Sequence, residues 1–493
     1  MPFPPQAKRY APHILIALFS ALALASPAGA VALVRRLADL FLLHFDWLTL
    51  AVAGACVLFC AVAAAGPWGR LRIGGADARP EFSTLSWIAM LFAAGMGAGL
   101  VFWGAAEPLI FTINPPPGGA EPGGEAAVRD AFALTLFHWA IHPWSIYAAA
   151  ALAVAYATHK QADYAPSSAF QGAPRRLRRA IDWLALFAVI FGVVASVGQG
   201  ALQMGAGLRR IGDFGGVSPV LMQTSVIVVL ACVYLASAAG GLKRGIEPLS
   251  NLNLVLSGAL LFFVAVAGPT GAILETATQS LSAYAAQIVP LSVDLRPEGP
   301  ARAWTRDWTL TYLLWWVAWT PFVGVFIARI SRGRTVREFV LGVVLVPTLL
   351  TWAWFSAFGG AALTAQFDAG VDLGVTDFAT APAAAYALLD TYAFTVATQA
   401  LTVLLVFVFL ITSADSGAYV LAMLSNGGDG EPPVAERLFW GVLIAILSAA
   451  ALASGSGQNA TRAFAVVGAI PLCILLAAQI AAVSRRLWRD GLG

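Results

Sequence analysis

The chain has 493 residues, of which 59% are hydrophobic and 11% are charged, with a mean hydropathy of +0.78. Soluble globular domains carry about 25% charged residues, so this balance excludes an ordinary soluble domain and predicts a polytopic integral membrane protein. The net charge of +3 gives no indication of nucleic-acid binding. The four cysteines all lie inside apolar segments and are expected to be core residues, not disulfides: Cys56, Cys60, Cys232 and Cys473.

Apolar stretches of about 20 residues, separated by polar residues, predict twelve membrane-spanning helices. The predicted spans are 12–34, 46–66, 84–112, 131–158, 181–209, 218–239, 250–269, 304–330, 338–362, 394–424, 434–454 and 461–484. The first span follows Lys8 and Arg9 and continues to Val34 without a pause, so we expect an uncleaved helix instead of a signal peptide. Residues 272–289 are amphipathic and are expected to lie along the membrane surface.

The third span contains three closely spaced glycines, Gly95, Gly97 and Gly99. Glycine at this spacing lowers the cost of unwinding a helix and lets a ligand approach the backbone. Small residues four positions apart also allow two helices to pack closely, so both interpretations stay open. At the end of this span, Glu107 is expected to cap the helix or to pair near the outer surface.

The fourth span carries Trp139, Trp144 and Tyr147, which fall on an arc of about 140° of a continuous helix. It also has His138 and His142 at a spacing of four residues, which suits two ligands of one metal ion. Because the sequence offers no third ligand, a buried histidine pair is favoured over a metal site. The two histidines remain the candidates for a proton relay in this span.

The eighth span has an aromatic ladder within roughly a 120° arc of a helix. Its members are Trp308, Tyr312, Trp315, Trp316, Trp319 and Phe322. Aromatic faces on two neighbouring helices would form a box that holds a quaternary ammonium group by cation–π attraction. The alternative, an aromatic belt at the membrane surface, is disfavoured because Trp315, Trp316 and Trp319 lie ~10 to 17 Å deeper than the start of the span.

Thr320 and Pro321 directly follow Trp319, the last tryptophan of the ladder, and predict a break in the eighth span. The third and eighth spans are five spans apart. Interruptions at matching positions of two five-helix halves are typical of transporters that consist of inverted repeats.

The tenth span is apolar except for a polar group that includes Thr412, Ser413 and Asp415. Oxygen ligands from hydroxyls and freed carbonyls suit a hard monovalent cation such as Na⁺. The alternative is that the hydroxyls bond carbonyls of their own helix. We favour the ion site for Thr412 and Ser413, and expect Asp415 to pair with a basic residue.

Lys and Arg are concentrated in alternate loops, and this asymmetry predicts the orientation of the chain. With a cytoplasmic N-terminus, that side receives most of the basic residues, whereas loops 113–130 and 363–393 are acidic. Both termini are therefore predicted to be cytoplasmic.

Four stretches of the chain resemble the betaine/choline/carnitine transporter family. They are MLFAAGMGAGLVFWGAAEPL (90–109), LFHWAIHPWSIYA (136–148), DWTLTYLLWWVAWTPFVGVFIARISRGRTVREF (307–339) and TSADS (412–416). The resemblance implies an all-α membrane protein of twelve helices, in which spans 3–12 form a leucine-transporter-type 5+5 inverted repeat and which assembles as a homotrimer. On this basis residues 1–83 contain two peripheral helices, and residues 84–269 and 304–484 are the two repeats. Residues 270–303 connect the repeats, and residues 485–493 are a short cytoplasmic tail.

The same resemblance implies a substrate site and an ion site. Trp139, Trp144, Tyr147 and Trp316 would form the central box, with Trp315, Trp319 and Phe322 along the path to it. The backbone at Gly95, Gly97 and Gly99 would meet the substrate carboxylate, assisted by the Trp319 indole. One Na⁺ would be held by carbonyls of Ala93, Met96 and Phe409 and by hydroxyls of Thr412 and Ser413.

Two departures from the family pattern bear on the substrate. Leu313 stands where the family has a tryptophan, which favours an altered substrate preference, and Gly99 stands where some proton-coupled choline carriers have Asp. The resemblance thus implies a non-enzymatic transporter of a bacterial inner membrane, without cofactor, that imports a glycine betaine-like zwitterion with Na⁺. Proton-coupled choline uptake and Na⁺-independent, carnitine-type exchange are the alternatives.

Overall fold

The computed structural model describes residues 10–95, 97–157, 165–170, 172–240, 242–428 and 431–491. Within these ranges the regular elements are helices, and extended pairing is limited to one bridge between Arg72 and Thr335. The predicted all-helical class is confirmed. Helices suit a bilayer because they satisfy their own backbone hydrogen bonds.

The helices follow one another with short connections along most of the chain. They are α1 (Ala11–Ala25), α2 (Pro27–Ala65), α3 (Thr84–Gly95), α4 (Ala98–Ile113), α5 (Glu125–Trp139), α6 (Ile141–Ala157), α7 (Arg175–Ile211), α8 (Pro219–Gly240), α9 (Leu242–Ala267), α10 (Thr270–Val293), α11 (Pro300–Thr305), α12 (Thr311–Ile330), α13 (Val336–Leu363), α14 (Ala384–Leu389), α15 (Thr395–Ser425), α16 (Val434–Ala453) and α17 (Gln458–Gly491). Two π-helical turns, Arg306–Leu310 and Thr364–Asp368, precede α12 and follow α13.

Eight helices of the described ranges are long and apolar enough to cross a membrane, and nine if α9 and α10 form one bent span. The remaining predicted spans, the first, third and fourth, are each interrupted: the first is shared between α1 and the beginning of α2, and the other two are divided into the shorter helices α3 and α4, and α5 and α6. The first is divided at Ser26, because Pro27 has no amide proton and begins α2 instead of continuing α1. The predicted gap between the first two spans is only a kink at Phe45 inside α2.

The amphipathic segment 272–289 lies within α10. This helix turns by 112° from the preceding one and buries one face through Ile273, Ser280 and Tyr284. The amphipathic pattern therefore corresponds to a real buried face, while its position along the membrane surface stays a prediction.

The third span is interrupted at its glycines. α3 ends at Gly95, and α4 begins at Ala98 after Gly97, whose backbone is extended (φ −86°, ψ −162°). The structure therefore agrees with the first interpretation of these glycines, which is that they allow the helix to unwind. The consequence is a helix N-terminus in the middle of the predicted span.

The fourth span has a break that the sequence analysis missed. α5 ends at Trp139, and Ala140 leaves helical geometry (φ −104°, ψ −115°) before α6 begins. The cause is Pro143, whose ring would clash with the carbonyl of Trp139 in a continuous helix. The freed groups find partners, since the His138 carbonyl accepts from the Trp316 indole (2.9 Å) and the Ile141 amide donates to the Tyr284 hydroxyl (3.3 Å).

The predicted break at Thr320 and Pro321 is wrong. α12 runs through both residues to Ile330. Pro321 leaves the Val317 carbonyl, four residues earlier, without its helical donor. The Thr320 hydroxyl donates to that carbonyl at 2.7 Å and so replaces the missing hydrogen bond.

α12 occupies the interior of the molecule. In the stretch Pro300–Ile330, 83% of the most apolar 18-residue segment is buried inside the protein. The corresponding share is 33–56% for the other membrane-length helices. It packs against α6, α7 and α17. The ladder residue Trp316 is only 7% exposed, so its position contradicts an aromatic belt and agrees with an internal site.

Candidate solute-binding site

Trp316 lies at the centre of an aromatic box formed with Trp139, Trp144 and Tyr147. Its ring centroid is 5.4 Å from that of Trp139, 5.3 Å from that of Tyr147 and 6.4 Å from that of Trp144. The first two contacts are edge-to-face, at 87° and 70°, a geometry that aromatic pairs prefer. The four predicted residues therefore come together from three helices, α5, α6 and α12.

The aromatic box borders a cavity of about 80 Å³, several times the roughly 10–15 Å³ that one water requires on this measure. Its wall comprises Gly97, Ala98, Gly99, Trp103, Trp139, Tyr147, Ser196, Gln199, Tyr312, Trp315, Trp316, Trp319, Leu410 and Ser413. No acidic or basic residue of the described part of the chain belongs to this wall. The cavity thus offers aromatic faces and neutral hydrogen-bonding groups.

Some predicted site residues are not in the wall. Trp144 is fully buried and packs against Tyr147 (5.8 Å), and Phe322 packs against Trp319 (5.4 Å). Ala93 and Gly95 belong to the last turns of α3, where the side chains of 92–95 are not described, and Met96 lies outside the described residues. Five wall residues were not assigned from the sequence because they carry no ladder or glycine signal: Ala98, Trp103, Ser196, Gln199 and Leu410.

The N-terminus of α4 reaches the cavity through Gly97, Ala98 and Gly99. The amides in the first turn of a helix have no intrahelical acceptor, and the helix dipole makes this end positive. Such an N-terminus is suited to bind a carboxylate. The Trp319 indole nitrogen, also without a hydrogen-bond partner in the described structure, belongs to the same wall.

Gly99 permits the close approach of α4 to the aromatic box. A Cβ atom at this position would lie 3.0 Å from Cη2 and 3.4 Å from Cζ3 of Trp139. The Trp139 ring is not free to retreat, because its indole nitrogen donates to Glu107 at 2.7 Å.

We expect Gly99→Ala to lower the affinity for the solute by about tenfold to 30-fold, since displacing one ring of the box weakens a cation–π contact worth up to ~2 kcal/mol. Isothermal titration calorimetry on the purified protein measures this change. Gly97→Ala is the matched variant, because its Cβ would meet only Ser413 Oγ, at 3.9 Å. Equal losses in the two variants would contradict the steric role of Gly99.

A buried polar network holds Trp139 of the aromatic box in position. Glu107, fully buried, accepts from Trp139 Nε1 (2.7 Å) and bonds His138 Nδ1 (2.7 Å), and His138 Nε2 bonds the Thr309 hydroxyl (3.0 Å). The His138 ring also stacks on Tyr312 (4.7 Å, 15°). Glu107 therefore pairs, as one of its two predicted roles, but in the interior of the molecule and not near its outer surface.

The favoured interpretation of the two histidines as buried side chains agrees with the structure. His142 Nε2 bonds the Ser292 hydroxyl at 2.9 Å, whereas His138 bonds Glu107 and Thr309. Across the described ranges no group of three His, Cys, Asp or Glu side chains is placed to hold a metal ion. His138 contributes to the site through its backbone carbonyl, which holds the Trp316 indole.

Three of the five predicted Na⁺ ligands, Phe409, Thr412 and Ser413, lie on α15 beside the break in the third span. Ser413 faces Gly97 in the cavity wall, and the Thr412 hydroxyl donates to the carbonyls of Val408 (3.2 Å) and Phe409 (2.9 Å). For Thr412 this is the bonding that the alternative interpretation predicts. Because a hydroxyl that donates its one proton keeps lone pairs for a cation, the ion site stays a prediction.

Asp415 has the structural role that was favoured for it, with two partners. Its carboxylate accepts a hydrogen bond from the Ser237 hydroxyl (2.6 Å), and the positive charge that acts on it is that of Arg437. The link ties α15 to α8, which is a structural role.

Trp103 of the cavity wall packs in an aromatic cluster with Trp308 and Phe378. The Phe378 centroid is 5.2 Å from each tryptophan. The Arg462 guanidinium lies 5.1 Å above the Phe378 ring and also bonds Asp307 (3.3 Å). The loop between α13 and α14 thus contacts a residue of the cavity wall through Phe378.

The family profile described as BCCT, betaine/carnitine/choline family transporter, matches residues 9–492. The chain belongs to this betaine/carnitine/choline transporter family. The family assignment makes it a transporter and not an enzyme, in agreement with its many apolar helices.

Characterised members of the family are similar over most of their length. The glycine betaine transporter OpuD of Bacillus subtilis is 39% identical over 90% of this chain and 87% of its own, and glycine betaine transporter 1 of Vibrio parahaemolyticus is 37% identical over 88% and 84%. An ectoine/hydroxyectoine transporter of Virgibacillus pantothenticus is 36% identical over 93% and 91%. Relatives at similar identity thus carry names with different solutes, so identity alone does not select the substrate.

Proposed function

We propose that this protein imports a zwitterionic quaternary-ammonium solute of the glycine betaine type, driven by Na⁺, through alternating access. The observation that carries the proposal is the aromatic box at an internal cavity. Aromatic faces attract a methylated cation without a carboxylate, and the cavity wall has no acidic residue among those described. Relatives named as glycine betaine transporters support the same solute class.

The negatively charged carboxylate of the solute is proposed to bind at the N-terminus of α4. The N-terminus of α4 presents the amides of Ala98 and Gly99 to the carboxylate, and Trp319 adds an indole N–H that has no partner in the described structure. A neutral wall with an aromatic region and a helix N-terminus favours zwitterions over simple cations.

The finer architecture is part of the proposal. We assign twelve spans, counting the divided first, third and fourth spans, with spans 3–12 as a 5+5 inverted repeat and both termini cytoplasmic. The interrupted third span supports a transporter of this kind. The protein is proposed to act as a homotrimer in a bacterial inner membrane.

Coupling to Na⁺ is proposed through the hydroxyls of Thr412 and Ser413 with carbonyls of Ala93, Met96 and Phe409. Ser413 lies beside Gly97, so an ion held there would stabilise the unwound segment that also meets the solute. Ion and solute would then favour the same conformation, which is coupling in the thermodynamic sense. Alternating access is proposed to involve the cluster of Trp103, Trp308 and Phe378, of which Trp103 belongs to the cavity wall.

Uptake of labelled glycine betaine into proteoliposomes, with and without an inward Na⁺ gradient, tests the proposal. We expect accumulation that depends on the gradient and is inhibited by competing zwitterions more than by choline. Uptake that is independent of Na⁺ but requires solute inside the vesicle would identify an exchanger. Uptake driven by a proton gradient would favour the Glu107–His138 pair as the coupling site.

In the same assay, Thr412→Ala combined with Ser413→Ala should raise the Na⁺ concentration for half-maximal uptake by at least about tenfold, because two oxygen ligands are lost. Thr402→Ala is the matched control, since Thr402 is buried on the same helix and also donates to a carbonyl of that helix (2.8 Å). An unchanged Na⁺ requirement in the double variant would contradict the ion site.

A further inference from the structure

α7 carries two buried glutamines whose amide nitrogens have no hydrogen-bond partner within the described structure. They are Gln199 and Gln203, which are 5% and 0% exposed. Together with Ser196 they are spaced by three and four residues and therefore share one face of the helix. None of the roles described above uses either amide.

Of the two glutamines, Gln199 is the one that belongs to the wall of the cavity. Its neighbour Gly200 packs against α15, because a Cβ added there would lie 2.4 Å from Leu410 Cδ1. Leu410 is another wall residue and lies about one helical turn from Ser413, whose Oγ would be 3.9 Å from a Cβ at Gly97. Gln199 therefore lies on the side of the cavity that the N-terminus of α4 also borders.

The unpartnered atom of Gln199 is a hydrogen-bond donor. Its amide nitrogen carries two N–H groups, and a ligand that brings an acceptor to a buried donor removes the cost of leaving that donor unsatisfied. In a zwitterion of the glycine betaine type, the quaternary nitrogen has no lone pair, so the two carboxylate oxygens are the only acceptors. The carboxylate is thus the group of this solute that can pair with Gln199.

The composition of the wall adds to this argument. Among the described residues no arginine or lysine belongs to the wall, so neutral donors have to bind the carboxylate. A neutral donor forms a charge-assisted hydrogen bond with an ionised carboxylate, roughly twice as strong as a bond between neutral groups. A carboxylate accepts at about four lone-pair positions, which leaves room for Gln199 beside the amides of α4.

We propose that the Gln199 amide nitrogen donates a hydrogen bond to the carboxylate of the solute. Gln199 is then a specificity-determining residue that favours zwitterions over quaternary cations without a carboxylate, such as choline. This inference rests on the proposed function and adds a side-chain donor to the carboxylate end of the site.

The test compares Gln199→Met with the wild-type protein, since methionine is similar in length and volume but has no N–H. Titration calorimetry on the purified full-length protein measures the dissociation constants of glycine betaine and choline. We expect the constant for glycine betaine to rise at least about tenfold, which corresponds to ~1.4 kcal/mol and to the lower end for a hydrogen bond to a charged group. The constant for choline should change less, because its neutral hydroxyl is a weaker acceptor than a carboxylate.

Gln203→Met is the matched control, because it removes the other unpartnered amide one turn away, outside the cavity wall. It should leave both constants unchanged. Gln199→Asn keeps the amide but withdraws it by one methylene group, so it should also weaken glycine betaine binding while the wall stays polar. Replacing an unsatisfied buried amide by an apolar group of similar size is expected to let the protein fold, and thermal unfolding checks this.

Two outcomes would overturn the inference while the proposed function stands. One is a dissociation constant for glycine betaine that Gln199→Met does not change. The other is an equal loss for glycine betaine and choline, which would place the cation of the solute, and not its carboxylate, beside Gln199. Wild-type protein that binds neither ligand would instead contradict the proposed function itself.

Discussion

We expect Trp316→Ala to raise the dissociation constant for glycine betaine by at least about 30-fold, the factor for one desolvated cation–π contact of ~2 kcal/mol. The loss exceeds a single contact, because Trp316 also holds Trp139 and Tyr147 edge-to-face and bonds the His138 carbonyl. Removal of the indole would leave that carbonyl unpaired at the break between α5 and α6. Titration calorimetry with the detergent-purified protein measures the change.

Two variants separate the ring from its hydrogen bond. Trp316→Phe keeps an aromatic face but loses the indole N–H, so it should fall between wild type and alanine. Trp352→Ala is the matched control, since Trp352 is a half-buried tryptophan that bonds a backbone carbonyl (2.8 Å) away from the cavity. Undiminished affinity in Trp316→Ala would refute the box as the binding site.

The aromatic part of the site follows from the sequence because helical periodicity is regular. Five large aromatic residues share one face of α12, and a helix face of this kind packs against the interior of a protein. The three residues predicted for the fourth span come together with Trp316, although the premise behind them was wrong. The premise was one helix through Trp139, Trp144 and Tyr147, whereas Ala140 separates the first from the other two.

Prolines account for two of the differences between sequence and structure. Pro143 breaks a helix and Pro321 does not, although both lie in apolar spans. Whether the helix continues depends on a hydrogen-bond donor close to the proline in the sequence. Thr320 satisfies the carbonyl that Pro321 leaves free, whereas the groups at Ala140 are satisfied by Trp316 and Tyr284 from other helices. Partners that lie far away in the sequence could not be predicted from it.

The same limit applies to other residues at or near the site. Phe378 belongs to a loop, and its place beside Trp103 depends on the fold of residues far apart in the chain. Gln199 gave no signal, because an amide in a long apolar helix is equally compatible with a packing role. Glu107 did give a signal, because an ionisable residue inside an apolar span is costly and needs a buried partner. The sequence prediction placed that partner near the outer surface instead.

Glu107→Ala is expected to destabilise the protein by about 2–6 kcal/mol, because it leaves two buried hydrogen-bonding groups unsatisfied at roughly 1–3 kcal/mol each. The variant leaves the Trp139 indole and His138 Nδ1 without their acceptor in a region with no solvent access. Because Trp139 forms one side of the box, solute affinity should fall together with stability. Thermal unfolding and titration calorimetry on the same preparations measure both effects.

Glu107→Gln should be much milder, because hydrogen bonding alone can restore the network. The glutamine oxygen accepts from Trp139, and its amide group donates to His138 Nδ1 while His138 Nε2 donates to Thr309, a tautomer that neutral imidazole allows. Glu121→Ala, at an exposed position, serves as the control for loss of a carboxylate. Na⁺-driven uptake that survives in Glu107→Gln would assign Glu107 to positioning Trp139, whereas abolished uptake with intact binding would make the buried carboxyl group a proton carrier.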